Sequence, residues 1–182
     1  VLAGGAYLEV ARGAQVSGDF IELSDGSLVN HGIVESAVIV GRGGRAGGTG
    51  TFDFVSISGG TFAPGSSPGR AETGDARLGA GGTYEVEIND AAGLAGAGFD
   101  LWSVNGTAYF DIRPGDAPFV LELVTLSPDD VPGILAHFDA SKAWRWTVFE
   151  ADAFQDFDDG DVVLDTSRFA ALSAWSALST SS

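Results

Sequence analysis

Short stretches in which apolar and polar residues alternate recur along the first half of the chain. The clearest is Tyr84–Ile88 (YEVEI), which places its carboxylates on one face and its apolar residues on the other. A period of two predicts β-strands with one buried and one wet face. No long stretch before residue 98 shows helical spacing. The predicted strands of this part are Tyr7–Val10, Phe20–Leu23, Ile33–Val34, Ala37–Val40, Phe52–Ile57 and Thr83–Ile88.

The segments between these strands are rich in glycine and other turn-forming residues. Of the 27 glycines, 23 lie in residues 1–98. Strands that recur roughly every 13 to 20 residues without helices between them favour a coiled β-solenoid over a βαβ fold. A β-sandwich would show more regular hairpin turns, and Asp25-Gly26 is the one clean example.

Composition changes near residue 98, at the end of the small-residue segment Ala91–Gly98. We predict an all-β chain: a short right-handed parallel β-solenoid in residues 1–98, then a β-rich C-terminal cap or sandwich-like region in residues 99–182. All four tryptophans lie in the second region. Its predicted strands are Ala108–Arg113, Phe119–Leu126, Trp144–Glu150 and Val162–Asp165, and the one predicted helix is Ser167–Leu178.

The segment Gly41–Ala46 (GRGGRA) matches the glycine pattern of dinucleotide-binding turns. That function needs a helix directly after the turn, but the sequence continues with GGTGTF, which disfavours a helix start. The acidic residue expected about 20 positions later is absent, and Thr49 replaces the lysine of a P-loop. We therefore interpret the segment as a structural corner. Arg42 and Arg45 then become candidates for contacting an acidic neighbour, such as the Asp-rich loop of a second copy.

Charge and cysteine content narrow the possible partners. The chain carries 25 acidic and 9 basic residues, a net charge of −16. Such a surface repels nucleic acid and anionic lipid, so we expect neither as a partner. No apolar run approaches the roughly 18 to 20 residues of a membrane-spanning helix. The absence of cysteine excludes disulfides and thiolate chemistry, and the absence of methionine as well suits a life outside the cell.

An acidic run near the C-terminus is a candidate calcium site. Asp156, Asp158, Asp159 and Asp161 place four carboxylates within six residues, and calcium prefers several oxygen ligands at close spacing. The spacing differs from that of an EF-hand, because Gly160 occupies a position that usually holds Asp or Asn. A solvated turn at Asp159-Gly160 is the alternative. We expect no other cofactor.

Catalytic patterns are weak. The two histidines, His31 and His137, lie in different halves of the chain, and His31 is flanked by turn residues. No nucleophile elbow is present, because Gly65–Gly69 (GSSPG) carries proline where the elbow continues into a helix. We predict that the chain is not an enzyme. A polysaccharide-active enzyme with paired carboxylates on the outer face of the coil is the remaining catalytic alternative.

One segment suggests a family. Gly59–Gly69 (GGTFAPGSSPG), followed by Leu78–Ile88 (LGAGGTYEVEI) and Phe99–Ala108 (FDLWSVNGTA), resembles the passenger-associated transport repeat of autotransporters and related bacterial surface proteins, including some with PEP-CTERM sorting tails. The resemblance covers about residues 48–106. It implies a right-handed parallel β-helix, secreted to the surface of a Gram-negative-type bacterium, usually without catalysis in this segment.

These observations predict a non-catalytic extracellular structural protein that self-assembles through the edges of its solenoid. Unpaired strand edges accept further strands, and no charged residue or proline precedes Glu9 to block the N-terminal edge. The alternative is an adhesin-like module that binds extracellular glycans. Alternation places Trp144 and Trp146 on one strand face, where they could stack on sugars or fill a core.

Overall fold

The computed structural model describes residues 1–170, and its fifteen regular elements are all β-strands. In chain order they are β1 (Leu2–Ala3), β2 (Tyr7–Val10), β3 (Gln15–Val16), β4 (Phe20–Ser24), β5 (Ser27–Asn30), β6 (Ile33–Val40), β7 (Arg45–Gly48), β8 (Thr51–Ile57), β9 (Thr61–Pro64), β10 (Arg70–Gly79), β11 (Thr83–Ile88), β12 (Leu101–Asp111), β13 (Phe119–Thr125), β14 (Phe149–Gln155) and β15 (Val162–Arg168). The predicted all-β class is confirmed.

The strands stack in two sheets, and every strand pair is parallel. Sheet A has the order β1-β4-β6-β8-β10-β12-β14, with β3 also paired to β6, and sheet B has the order β2-β5-β7-β9-β11-β13-β15. The chain alternates between the sheets, so each turn of the coil adds one step of about 4.8 Å along its axis. This is the architecture of a parallel β-solenoid, as the spacing of the strands predicted.

Sheet A is folded along a line of register shifts. The N-terminal half of β6 pairs with β3 and its C-terminal half with β4, and the register shifts again between β6 and β8 at Val34/Ala37. Similar shifts occur at Thr73/Ala76 and at Val104/Thr107. The shifts therefore recur at one level of successive strands and divide each long strand of sheet A into two segments.

Glycines occupy one corner of the coil. Gly26, Gly44, Gly60 and Gly82 each stand one residue before a strand of sheet B. The carbonyls of the first three accept a hydrogen bond from the first residue of the next strand of sheet B, and that of Gly82 accepts one from Val120, the second residue of β13. A Cβ on Gly44 would lie 2.5 Å from the Leu23 carbonyl oxygen. The corner is therefore too tight for a side chain. The GRGGRA segment forms this corner between β6 and β7, with no helix after it.

The coil is filled by inward-facing apolar side chains. Val38, Val55, Ala76 and Ala108 occupy one inward column and are fully buried. At the centre an aromatic cluster surrounds Trp102, whose ring centroid lies 4.4 to 5.4 Å from those of its three neighbours Phe62, Tyr84 and Phe149. Polar atoms in this cluster are paired, since the Trp102 Nε1 donates to Thr73 and the Tyr84 hydroxyl to the Val148 carbonyl.

Residues beyond 98 continue the same sheets. β12 pairs with β10, and β13 pairs with β11, so hydrogen bonds cross the predicted boundary. The division into regions 1–98 and 99–182 stays a prediction. The predicted strand Trp144–Glu150 is wrong over most of its length, because β14 begins only at Phe149. The predicted helix Ser167–Leu178 lies mostly outside the described residues, and its first two residues belong to β15.

Candidate functional site

The two ends of the coil are the candidate site. β1 and β2 are the first strands of their sheets, and β14 and β15 are the last. Within residues 1–170 no further strand pairs with the outer edges of these strands. An edge strand of this kind presents a row of backbone N–H and C=O groups to any strand that approaches it.

Core-facing residues are exposed at the C-terminal end. Phe154 pairs in register with the fully buried Ala108, yet 56% of its surface is exposed. Leu164 pairs with Leu121, which in turn pairs with the buried Tyr84, and Leu164 is 60% exposed. Both side chains occupy inward columns that the preceding turns fill and cover. The hydrophobic core of the described coil is thus open at this end.

The same inward column begins at the opposite end with Leu8. It runs from Leu8 through Leu28, Ala46, Phe62, Tyr84 and Leu121 to Leu164. The next outward column begins with Glu9 and ends with Asp165. A second copy stacked in register would continue the apolar column, but it would bring these two carboxylates side by side.

The acidic loop does not gather its carboxylates. Asp156 has a positive φ of 58°, and Asp156, Asp158 and Asp159 are exposed. Asp161 is nearly buried and accepts a hydrogen bond from the backbone N–H of Asp158 at 2.7 Å, which closes a turn. In residues 1–170 no three His, Asp or Glu side chains come together as metal ligands. The calcium site stays a prediction that this geometry does not support.

Arg45 is held within its own chain rather than offered to a neighbour. Its guanidinium donates to Glu85 at 2.6 Å, and Arg168 donates to the other oxygen of the same carboxylate at 2.7 Å. We call Arg45, Glu85, Arg168 and the nearby Glu122 the arginine clamp; Arg168 also lies 3.4 Å from Glu122. Burial raises the pKa of Glu85, but the two guanidinium groups outweigh burial and hold it below its usual value. Arg42 lies exposed on the corner turn.

The clamp connects five turns of the coil, because Arg45 lies on β7, Glu85 on β11 and Arg168 on β15. Glu85 is 6% exposed, covered by two half-exposed arginines. Sequence analysis placed Glu85 on the wet face of its strand and did not find these partners. No local signal could find them, since Arg45 and Arg168 lie 40 and 83 residues away.

Trp144 and Trp146 pack against the core. Their rings stack with centroids 6.1 Å apart, and Phe138 and Phe169 extend the cluster. Each indole N–H donates to a backbone carbonyl, that of Asp139 for Trp144 and that of Ala91 for Trp146. Both tryptophans are half-buried against the hydrophobic core. The structure thus gives these two residues a packing role.

The histidines serve different contacts. His31 Nδ1 lies 3.0 Å from the hydroxyl of Thr49 on the next turn. His137 Nδ1 lies 2.8 Å from Asp90 Oδ1, and this hydrogen bond lowers the pKa of Asp90. The Asp90–His137 pair joins the corner loop after β11 to the loop after β13. It forms a link between two surface loops.

A buried carboxyl that sequence analysis missed anchors the GGTFAPGSSPG loop. Asp100 is fully buried and accepts backbone hydrogen bonds from Gly69 at 2.7 Å and from Glu87 at 2.8 Å. Burial raises the pKa of Asp100 to about 8, against the effect of the two N–H donors. In the sequence Asp100 is one more acidic residue within the FDLW segment, and the pattern around it does not indicate that it is buried.

Comparison with known proteins adds no relative. No family model, curated protein or solved structure matches the chain. The resemblance to the autotransporter passenger repeat therefore stays a prediction. Among residues 1–170 there is no helix long and apolar enough to span a membrane.

Proposed function

We propose that the chain is a non-catalytic structural protein of a bacterial cell surface or extracellular matrix, and that it assembles head to tail. One observation carries the proposal: within residues 1–170 an all-parallel coil leaves strand edges open at both ends, with Phe154 and Leu164 exposed at core-facing positions of one end. A second copy whose β2 pairs with β15 extends sheet B in the same strand direction. Such a contact joins two different surfaces, so it repeats into a filament or layer unless rotation closes it.

Repulsion between carboxylates opposes this head-to-tail contact. Stacking in register places Glu9 of one copy beside Asp165 of the next, on a chain that carries a net charge of −16. Like charges side by side on neighbouring strands oppose pairing. Because the distance over which exposed charges repel falls from about 10 Å at 0.1 M salt to about 3 Å at 1 M, we expect assembly to strengthen as ionic strength rises.

The finer features of the fold belong to the same proposal. Parallel connections within one sheet are right-handed in nearly all proteins, which supports a right-handed coil. The lack of the easily oxidised residues cysteine and methionine, together with the resemblance to surface-protein repeats, supports an extracellular location in a Gram-negative-type bacterium. A C-terminal cap over β14 and β15 is the competing expectation, since a covered edge cannot accept another copy.

The test measures the size of the full chain as a function of concentration and salt, by light scattering and negative-stain electron microscopy. We expect regular polymers that grow with concentration. Burying one leucine contributes about 1.5–3 kcal/mol, so Leu164→Lys should raise the concentration needed for assembly at least about tenfold. Leu94→Lys is the matched control, because Leu94 is 79% exposed on a side loop away from both ends.

Two results would overturn the proposal. A monomer at every concentration and salt level would show that the edges are covered. Equal loss of assembly in Leu164→Lys and Leu94→Lys would show that the polymer forms through another surface.

A further inference from the structure

A groove crosses the outer face of sheet B obliquely to the axis of the coil. Two outward columns and a loop define it. Tyr7, Ser27 and Arg45 form the first column, and Val29, Gly47 and Ala63 form the floor. The loop Gly65–Ser67 and Glu87 form the opposite wall. The groove encloses about 350 Å³, which lies at the lower end of the range for ligand clefts.

The groove is long and narrow. Its lining extends from Tyr7 on β2 to Glu87 on β11, across four successive strand-to-strand steps. Four steps of about 4.8 Å give about 19 Å, on the order of the length of four linked hexose rings. The length of the groove therefore fits a short linear chain lying along it.

A peptide cannot bind to the floor of the groove by strand addition. β5, β7 and β9 each pair with a strand on both sides, so their backbone groups are already used. What remains for a ligand is side-chain chemistry: the Tyr7 ring, which is 60% exposed, the hydroxyls of Ser27 and Ser66, and the Glu87 carboxylate with the Ser67 hydroxyl that is hydrogen-bonded to it. Hydroxyl groups and an exposed aromatic ring complement the hydroxyls and apolar faces of sugars.

The charges of the groove favour a neutral ligand. The Arg45 guanidinium is paired with Glu85, and Glu87 stands on the opposite wall. The chain as a whole carries a net charge of −16 and repels polyanions. An acidic polysaccharide therefore meets no free cation among these lining residues.

We propose that this groove binds a neutral oligosaccharide, with the ring at one end stacked on Tyr7 and the hydroxyls of the rings at the other end hydrogen-bonded to the Ser66–Ser67 loop and the Glu87 carboxylate. This site differs from the tryptophan pair that the sequence suggested for glycans. Its floor lies on interior turns of the coil, but Tyr7 lies on β2, the edge strand that head-to-tail assembly would pair, so binding is measured in a background that does not assemble.

The experiment titrates the full chain with cellotetraose, maltotetraose, xylotetraose, chitotetraose and tetragalacturonate, followed by amide chemical shifts in NMR. The protein background is Leu164→Lys, so that polymer formation does not interfere. Val29→Trp fills the floor of the groove. Ile39→Trp is its control, because Ile39 is also a half-buried aliphatic residue in an outward column, but on sheet A.

We expect at least one neutral tetrasaccharide to shift the backbone amide signals of Ala63, Gly65, Ser66 and Ser67. Val29→Trp should weaken that binding at least about tenfold, and Ile39→Trp should leave it within about twofold. The thermal melting temperature of each variant reports whether it remains folded. No binding by any neutral probe, binding of tetragalacturonate alone, or equal binding by both variants would overturn the proposal.

Discussion

Replacing Asp100 by asparagine tests how the GGTFAPGSSPG loop is fixed to the coil. The Asp100 carboxyl is fully buried, and its two oxygens accept the backbone N–H groups of Gly69 and Glu87. Asparagine keeps the size of the side chain but replaces one acceptor oxygen with an NH₂ group, which leaves one buried N–H without a partner. An orphaned buried donor costs about 1–3 kcal/mol. We expect Asp100→Asn to lower the free energy of unfolding by that amount at pH 5.

The pH dependence gives a sharper signature. Burial raises the pKa of Asp100 to about 8 in the folded chain, whereas an unfolded aspartate titrates near about 3.9. Between these values the folded state holds a proton that the unfolded state has released, so stability falls as pH rises. The slope is at most about 1.4 kcal/mol per pH unit. Asparagine does not titrate, so this part of the slope disappears. From pH 5 to pH 8 the slope adds up to about 4 kcal/mol, which exceeds the initial deficit, so we expect the variant to become more stable than the wild type before pH 8.

The assay is urea unfolding from pH 5 to pH 8.5, followed by tryptophan fluorescence. Asp53→Asn is the control, because Asp53 is an exposed carboxylate on β8. Acidic groups with lowered pKa values, such as Asp90 and Asp139, titrate below this window and do not interfere. If Asp100→Asn and the wild type show parallel curves of stability against pH, the carboxyl does not hold a proton in the folded state and the reasoning is refuted.

Two further changes test the clamp and the packing of the sheets. Glu85→Gln removes the negative charge that two guanidinium groups share. Because the arginines are half exposed, we expect the free energy of unfolding to fall by about 1–2 kcal/mol and to depend less on salt than in the wild type. Urea unfolding at low and high salt measures both effects. An unchanged salt dependence would show that the clamp contributes no charge interaction. Gly47→Ala would place a Cβ 1.9 Å from the carbonyl oxygen of Ala63 and should cost more than about 2 kcal/mol in thermal unfolding. Gly18→Ala, whose Cβ would meet only a hydroxyl at 3.5 Å, should stay within about 1 kcal/mol of the wild type, and equal effects of the two would contradict the argument.

Alternating segments were the elements that local sequence could predict. Tyr7–Val10 and Thr83–Ile88 match β2 and β11 at both ends. In these segments the period of two and the β propensity of the residues agree with the side that each residue buries. The glycine pattern of GRGGRA also predicts a structural corner, because the residues after it exclude a helix.

Several strands were missed because their local composition argues against them. β7 (RAGG) and β9 (TFAP) contain glycine and proline, and the sequence pattern assigned both to connectors. They become strands because β5 and β11 flank them, and the partners supply the hydrogen bonds that local propensity does not. β14 was placed too early, because the tryptophans suggested a strand face where the chain instead packs against the core.

The sequence by itself determined that this chain forms β-strands, that it coils through tight glycine corners, and that its surface is strongly acidic. These properties depend on residues close together in the chain or on composition alone. Only the tertiary structure decided that Arg45 and Arg168 share Glu85, that Asp100 is buried under the loop, and that Phe154 and Leu164 are open at the last turn. Stacking of the turns brings together residues that lie tens of positions apart in the chain. Which residues meet depends on the register of strand pairing, and that register is set along the whole coil.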